Sequence, residues 1–373
     1  MRMILLCNLF LLFTLSSRGQ NTARFEIKSL PAGHVSGSTI YIAGSFNGWN
    51  PKNEEYKFKQ DEKGNYFLEL KLENGKHEYK ITRGGWDKVE TAKSGAGIEN
   101  RSLVIPTDSA YELVIEEWAD KFAALPKKSS ASKNVYTMSK AFRIKELATT
   151  RRIWIYFPSD YTTTQKRYPV LYMHDGQNVF EDSTSFSGEW GVDEFMDTAR
   201  RNCIVVAIDH GGPKRINEYC PYDMEKYGKG EGAEYVNFLV KTLKPYVDKK
   251  YRTLKKKEDT FIAGSSMGGL ISMYAILKYP KTFGAAGVFS PAFWVGPKIF
   301  DDIVKKGEKV KGMIYFYAGK QEGENMVPDM LKAFEKMHEV SKASMITVIR
   351  DDGKHNEPTW RKEFPLFYEW LMR

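Results

Sequence analysis

The sequence predicts an α/β protein whose mainly parallel sheet carries helices on both faces and follows a separate β-sandwich. Three observations lead there. Residues 24–118 hold short strands in which apolar and polar residues alternate. From about residue 135, near-continuous apolar runs alternate with amphipathic helical patterns, the texture of a sheet buried on both faces. Between them, residues 119–134 lack strong periodicity and carry Pro126 and a Lys/Ser run, which marks a linker.

The 373 residues suffice for two domains. With 42% hydrophobic and 28% charged residues, the chain can build ordinary cores and is not disordered by composition. The N-terminus has a short basic start, an apolar run from Ile4 to Leu15, and then the small residues Ser16, Ser17 and Gly19. That order predicts a signal peptide over residues 1–19, cleaved near Gly19–Gln20, and export to the periplasm or the outside of the cell. The run falls short of the roughly 20 apolar residues that a bilayer span requires, so no span is expected after its removal.

Within 24–118, Ile40 and Ile42 alternate with polar neighbours, and Leu68, Leu70 and Leu72 share one strand face. Asn74–Gly75 is expected to turn a hairpin into HEYKIT, with SLVIP and YELVIEEW as later strands. Beyond 135 the candidate strands are RIWIYF (152–157), YPVLYMH (168–174), CIVVAID (203–209), TFIAGS (260–265), GAAGVFS (284–290), MIYFYAG (313–319) and SMITVIR (344–350). Helical patterns such as AEYVNFLVKTLKPYVDKKY and GLISMYAILKY separate them.

Cys203 opens one strand and Cys220 lies beyond its far end. A strand of that length spans roughly 23 Å, whereas a disulfide needs Cα atoms within about 7 Å. Both cysteines are therefore expected to be free. The net charge of +9 comes from short basic runs of the kind that cover solvated loops and helix ends. Basic and aromatic residues do not interleave as on a nucleic-acid surface, so no nucleic-acid partner is expected. C-x-x-C, H-E-x-x-H and Walker-type patterns are lacking, and neither a metal nor a cofactor is expected.

The strand TFIAGS runs into Gly264–Ser265–Ser266–Met267–Gly268, a G-x-S-x-G pattern, and then into an apolar helix. The pentapeptide alone is a weak signal, but strand–turn–helix is the context that the chemistry needs. Flanking glycines permit a sharp turn that lifts the Ser266 hydroxyl above a helix N-terminus. A serine nucleophile needs a base, and the chain order in such sites is Ser, acid, His. Only His338 and His355 follow Ser266; His338 sits inside a helical pattern, while His355 lies in a loop after the last strand. His355 is thus the expected base. The acid should follow MIYFYAG, where Glu322 is the first choice and Glu324 and Asp329 remain open. Two backbone donors should hold the developing oxyanion: the Met267 amide and the Gln177 amide, the latter in the loop after YPVLYMH.

The half from 135 to 373 resembles the esterase family that includes enterochelin esterases, esterase D, and feruloyl and acetylxylan esterases. The residues that carry the resemblance are LYMHDGQNVF (171–180), GEWGVDE (188–194), IDHGG (208–212), EYCPYD (218–223), AGSSMGGLISMYA (263–275), FSPAFW (289–294) and GKHNEPTW (353–360). It implies the α/β-hydrolase fold, Ser266 as nucleophile, His355 as base and an acid in GKQEGE, favouring Glu322. It also implies a cleft wall around residues 211–233, where Arg215, Tyr219 and Tyr222 would meet substrate, with Trp294 walling the pocket. The expected function is exported ester hydrolysis through an acyl-enzyme, on feruloyl or acetyl esters of polysaccharides; a siderophore ester is the alternative substrate. The N-terminal half resembles the immunoglobulin-like starch- and glycogen-binding modules through IYIAGSFNGWNP (40–51), HEYKITRGGW (77–86) and GIENRSLVI (97–105). That resemblance implies sugar contacts at Trp49, Lys80, Trp86 and Asn100. It leaves open a carbohydrate-binding protein with a vestigial hydrolase half.

Overall fold

A computed structural model describes residues 20–105, 109–122, 129–185, 188–199 and 203–373. The expected signal peptide and the middle of the expected linker, residues 123–128, lie outside the described residues. The chain divides into two compact units, Met1–Pro126 and Lys127–Arg373.

The first unit contains β1 (Gln20–Ser29), β2 (Tyr41–Gly44), β3 (Lys59–Gln60), β4 (Tyr66–Glu73), β5 (Gly75–Thr82), β6 (Glu90–Thr91), β7 (Arg101–Ile105), β8 (Ser109–Val114) and β9 (Glu117–Trp118). They form sheets of order β3-β4-β1-β8, β2-β5-β7 and β6-β9. The alternation read from the sequence sets the core: Leu68, Leu70 and Leu72 point inward, with exposed Glu69, Lys71 and Glu73 between them. They join Phe25, Ile42, Ile81 and Leu103 from both larger sheets in one apolar cluster. Two expectations need correction. Asn74–Gly75 is not a hairpin, because β4 and β5 belong to different sheets. With φ +136 at Gly75, the chain turns a corner that only glycine adopts freely and crosses from one sheet to the other. Likewise YELVIEEW splits into β8 and β9, which pair in different sheets.

The second unit is built on β10 (Val135–Ile144), β11 (Thr149–Tyr156), β12 (Val170–His174), β13 (Ile204–Ile208), β14 (Thr260–Ser265), β15 (Ala285–Phe289), β16 (Met313–Gly319) and β17 (Ser344–Arg350). They form one sheet of order β10-β11-β13-β12-β14-β15-β16-β17. Pairing is antiparallel across β10–β11–β13 and parallel from β13 onward. Seven of these strands coincide with the apolar runs of the sequence. β10 went unread, because its register with β11 shifts twice and only Ile144 among its residues is buried, so no clean alternation marks it. The helices are α1 (Val192–Met196), α2 (Arg215–Tyr219), α3 (Gly232–Phe238), α4 (Lys244–Lys250), α5 (Met267–Lys278), α6 (Ile299–Lys306), α7 (Met326–Val340) and α8 (Glu357–Leu371). Residues Met267–Leu277 of α5 are all buried. The helix therefore reads as apolar all round, as a central element does. Two apolar clusters result. One contains Ile262, Leu270 and Phe316, the other Phe289, Phe364 and Phe367. Cys203 and Cys220 are both buried and free. Among the described residues, no helix is long and apolar enough to cross a membrane.

The second half of the expected linker is tied down by carboxylates. The Ser132 amide donates to Asp193 Oδ2 at 2.6 Å, the Ser130 hydroxyl to Glu189 Oε2 at 3.2 Å, and the Asn134 side chain to Asp197 Oδ1 at 2.7 Å. Burial, joined by the neighbouring Glu194 carboxylate, pushes Glu189 and Asp193 well above the usual carboxylate range. A carboxyl whose folded-state value is raised favours the fold while protonated. Its contribution is full below the unfolded value and is lost as pH climbs through the raised one. Asp193→Asn keeps an oxygen for Ser132 and removes the charge. It is expected to raise the melting temperature by a few degrees at about pH 8.5 and to leave it nearly unchanged at about pH 5, read by thermal unfolding.

Candidate active site

β14 delivers the chain to Ser266, which adopts φ 59° and ψ −120° before α5 begins. A left-handed backbone at a residue with a Cβ costs about 1–3 kcal/mol and persists only when its surroundings impose it. Here the Ser266 amide donates to the Phe289 carbonyl at 3.0 Å. The Ser266 carbonyl accepts from Ala292 at 3.0 Å and from Leu270 at 3.1 Å. At Gly264 a Cβ would stand 2.9 Å from the His174 ring, so the turn closes only with glycine there. The bend leaves Ser266 half-buried at the head of α5, and the Met267 amide, first in that helix, has no intrahelical acceptor.

Glu322 follows β16 with its side chain fully buried, and His355 lies between β17 and α8 with its side chain 34% exposed. His355 Nδ1 and Glu322 Oε2 are 2.7 Å apart. Glu322 Oε1 accepts from the Gly319 amide at 2.7 Å and from the Ser290 hydroxyl at 2.8 Å. Ser290 directly follows β15 and also accepts from the Trp360 indole N–H at 2.9 Å. The Trp360 ring meets His355 edge-on, with centroids 5.1 Å apart. Serine, acid and histidine thus sit at the carboxyl ends of β14, β16 and β17, where ligands bind in sheets of this kind. Of the open acid candidates, Glu322 is the one bonded to His355; Glu324 is exposed, and Asp329 lies in the first turn of α7. His338 is carried on α7 and stacks on Phe334.

β12 ends at His174, and Asp175 (φ 56°) opens a tight turn over Gly176–Asn178 that presents Gln177. Gly176 is required by proximity, since a Cβ there would stand 2.8 Å from the Ile208 backbone. The turn is propped from below. Arg215 grips Asp175 with two bonds of 2.6 and 2.7 Å and reaches the Ser265 carbonyl at 3.4 Å. Burial opposes charge on Asp175, but the Arg215 guanidinium outweighs it and holds the carboxyl below its usual range. The Tyr219 hydroxyl accepts from the Asp175 amide at 3.3 Å, and His174 Nδ1 lies 2.9 Å from the Tyr235 hydroxyl. Burial pushes His174 down to about 3, so it stays neutral beneath the turn. One expectation needs correction: Tyr219 is fully buried and supports the turn rather than facing a ligand. The Arg215 side chain, 23% exposed, is paired with Asp175. Tyr222 is engaged with Asp302 at 2.9 Å. Trp294 is 51% exposed, two residues past Ala292 and its bond to Ser266. Asp175, Ser290 and Trp360 lie inside LYMHDGQNVF, FSPAFW and GKHNEPTW, but sequence spacing alone assigns none of them a role. Arg215→Met leaves Asp175 buried without its partner. It is expected to cost about 3 kcal/mol of stability and most of the ester-cleaving turnover, checked by urea unfolding and initial rates.

In the first unit, Trp49 and Trp86 are half-buried neighbours, with ring centroids 6.3 Å apart and planes inclined by 39°. Lys80 donates to the Ile98 carbonyl, and burial lowers its ammonium from the usual value. Asn100 donates to Glu78 at 3.4 Å. The two rings are therefore brought together, while the lysine and the asparagine already hold partners.

Residues 144–368 match the Esterase family, described as "Putative esterase". The uncharacterized protein YbbA of Bacillus subtilis is 25% identical over 239 residues, covering 59% of this chain and 92% of its own. An endo-1,4-beta-xylanase/feruloyl esterase of Xylanibacter ruminicola is 26% identical over 217 residues, 56% of this chain and 27% of that one. The enterobactin esterase FES of Shigella flexneri superposes with a TM-score of 0.51 at 16% identity, covering 94% of this chain and 92% of that one. The strand order, the strained serine turn and the family match over most of the second unit agree: the chain belongs to this esterase family, with an α/β-hydrolase fold and the activity of a carboxylic-ester hydrolase.

Proposed function

We propose that Ser266 attacks the ester carbonyl to form an acyl-enzyme. His355 takes the hydroxyl proton and returns it to the leaving alkoxide, after which water repeats the attack and frees the acid. Glu322 holds the imidazole so that Nδ1 carries its proton toward the carboxylate and Nε2 faces the serine, and it balances the imidazolium that forms. The Met267 and Gln177 amides receive the oxyanion, each worth about 3 kcal/mol in the transition state. The observation that carries this reading is the 2.7 Å His355–Glu322 bond in the same sheet edge as the left-handed Ser266.

The substrates are feruloyl or acetyl esters on polysaccharides, cleaved after export to the periplasm or beyond. Sequence similarity to a protein named as both xylanase and feruloyl esterase supports that class, and the Trp49–Trp86 pair suits the apolar face of a sugar ring. Ser266→Ala is expected to lower turnover of p-nitrophenyl acetate and methyl ferulate by at least about a thousandfold and to abolish fluorophosphonate labelling. Unchanged turnover refutes the mechanism. Lack of labelling in the native chain would mark a vestigial hydrolase unit beside a sugar-binding one. A panel that adds siderophore esters decides the substrate class.

A further inference from the structure

We propose that Ser290 and Trp360 are positioning residues that fix the direction of the hydrogen bonds running through Glu322 to His355. This inference rests on the mechanism above. An indole N–H can only donate. The 2.9 Å bond from Trp360 Nε1 therefore makes the Ser290 oxygen an acceptor, which directs the Ser290 proton along its other contact, the 2.8 Å bond to Glu322 Oε1. The Gly319 amide donates to the same oxygen. With two donors aimed at Oε1, that oxygen has no place for a proton, and the carboxylate meets His355 through Oε2 alone. The ionised carboxylate accepts from Nδ1, which leaves Nε2 free to accept the serine proton. Turning the Ser290 hydroxyl around would set two donors against each other at Trp360 and two acceptors at Glu322 Oε1.

The backbone also marks Ser290. It is fully buried and sits at φ 42°, a left-handed conformation that serine tolerates poorly. Its amide is pinned to the Tyr317 carbonyl at 2.7 Å. That twist places its hydroxyl between strands β14 and β16, which carry the nucleophile and the acid. Trp360 is buried against Trp190, with ring centroids 5.8 Å apart, so the indole is itself held in place. Glu357 lies near His355, and Tyr317 lies near Glu322. The Tyr317 hydroxyl has no hydrogen-bond partner, so it does not donate to Glu322.

Ser290→Ala and Trp360→Phe test the proposal through kcat and KM for p-nitrophenyl acetate, the pH profile of kcat/KM, and the low-field proton resonance of the His355–Glu322 bond. Ser290→Ala is expected to lower kcat about ten- to a hundredfold, the weight of a hydrogen bond to a charged group, and to leave KM within about twofold. The carboxylate loses one neutralising donor and holds the imidazolium more strongly. The acid limb of the profile therefore moves to higher pH and the low-field resonance shifts. Trp360→Phe should act in the same direction but less, since the hydroxyl remains and only its orientation is freed. Ser290→Gly removes the hydroxyl while relieving the backbone, so it should match the alanine variant even if that variant folds poorly. Profiles and resonance superimposable on those of the parent, with kcat within about twofold, overturn the proposal. If Ser266→Ala abolishes turnover in the same assay while the Ser290 variants behave as the parent, only this inference fails; if Ser266→Ala stays active, the underlying mechanism fails with it.

Discussion

Three donors converge on one buried carboxylate, and the arrangement of the site follows from it. The Glu322 side chain is shielded from water, so each of its oxygens needs a protein partner. Gly319, Ser290 and His355 supply them. The first belongs to the end of β16, the second to the end of β15 and the third to the loop before α8. Satisfying one charge thus brings three segments of chain to a common point. The serine turn joins them because its amide and carbonyl are bonded to Phe289 and Ala292, the residues on either side of Ser290–Pro291. Ser266 and Glu322 are therefore both bonded to one short stretch of chain, residues 289–292, and His355 joins them through Glu322.

A second charge plays the same part at the turn after β12. The turn that presents Gln177 rests on Asp175, and Asp175 rests on Arg215. A buried pair of this kind adds little net stability against an apolar alternative, but it enforces one geometry. His174 beneath it is kept neutral by burial, so its imidazole does not compete with Arg215 for Asp175.

Much of this was legible in the chain. Strands buried on both faces are apolar along most of their length, so β12–β16 stand out as runs. The serine was identifiable because its pentapeptide joined a strand to a helix, and the histidine because chain order left few candidates. What escaped reading depends on contacts that sequence spacing does not encode. β10 is an exposed edge strand broken by bulges, and Asn74–Gly75 looks like a hairpin until the strands on either side prove to lie in different sheets. Arg215 and Tyr219 were placed in a cleft wall because loop residues beside a site are expected to face it. Their true partner, Asp175, is 40 residues away from Arg215 in sequence. Ser290 stands in FSPAFW, but its role exists only through Trp360 and Glu322, which the fold delivers from elsewhere in the chain.

The bend at Ser266 carries a longer-range implication. Its backbone sits in a sparsely populated conformation, and the neighbouring amides and carbonyls hold it there. Glycine there would relax the backbone and strengthen the fold, but it would remove the hydroxyl, so the chain holds an oxygen at the tip of the bend at the expense of its own stability.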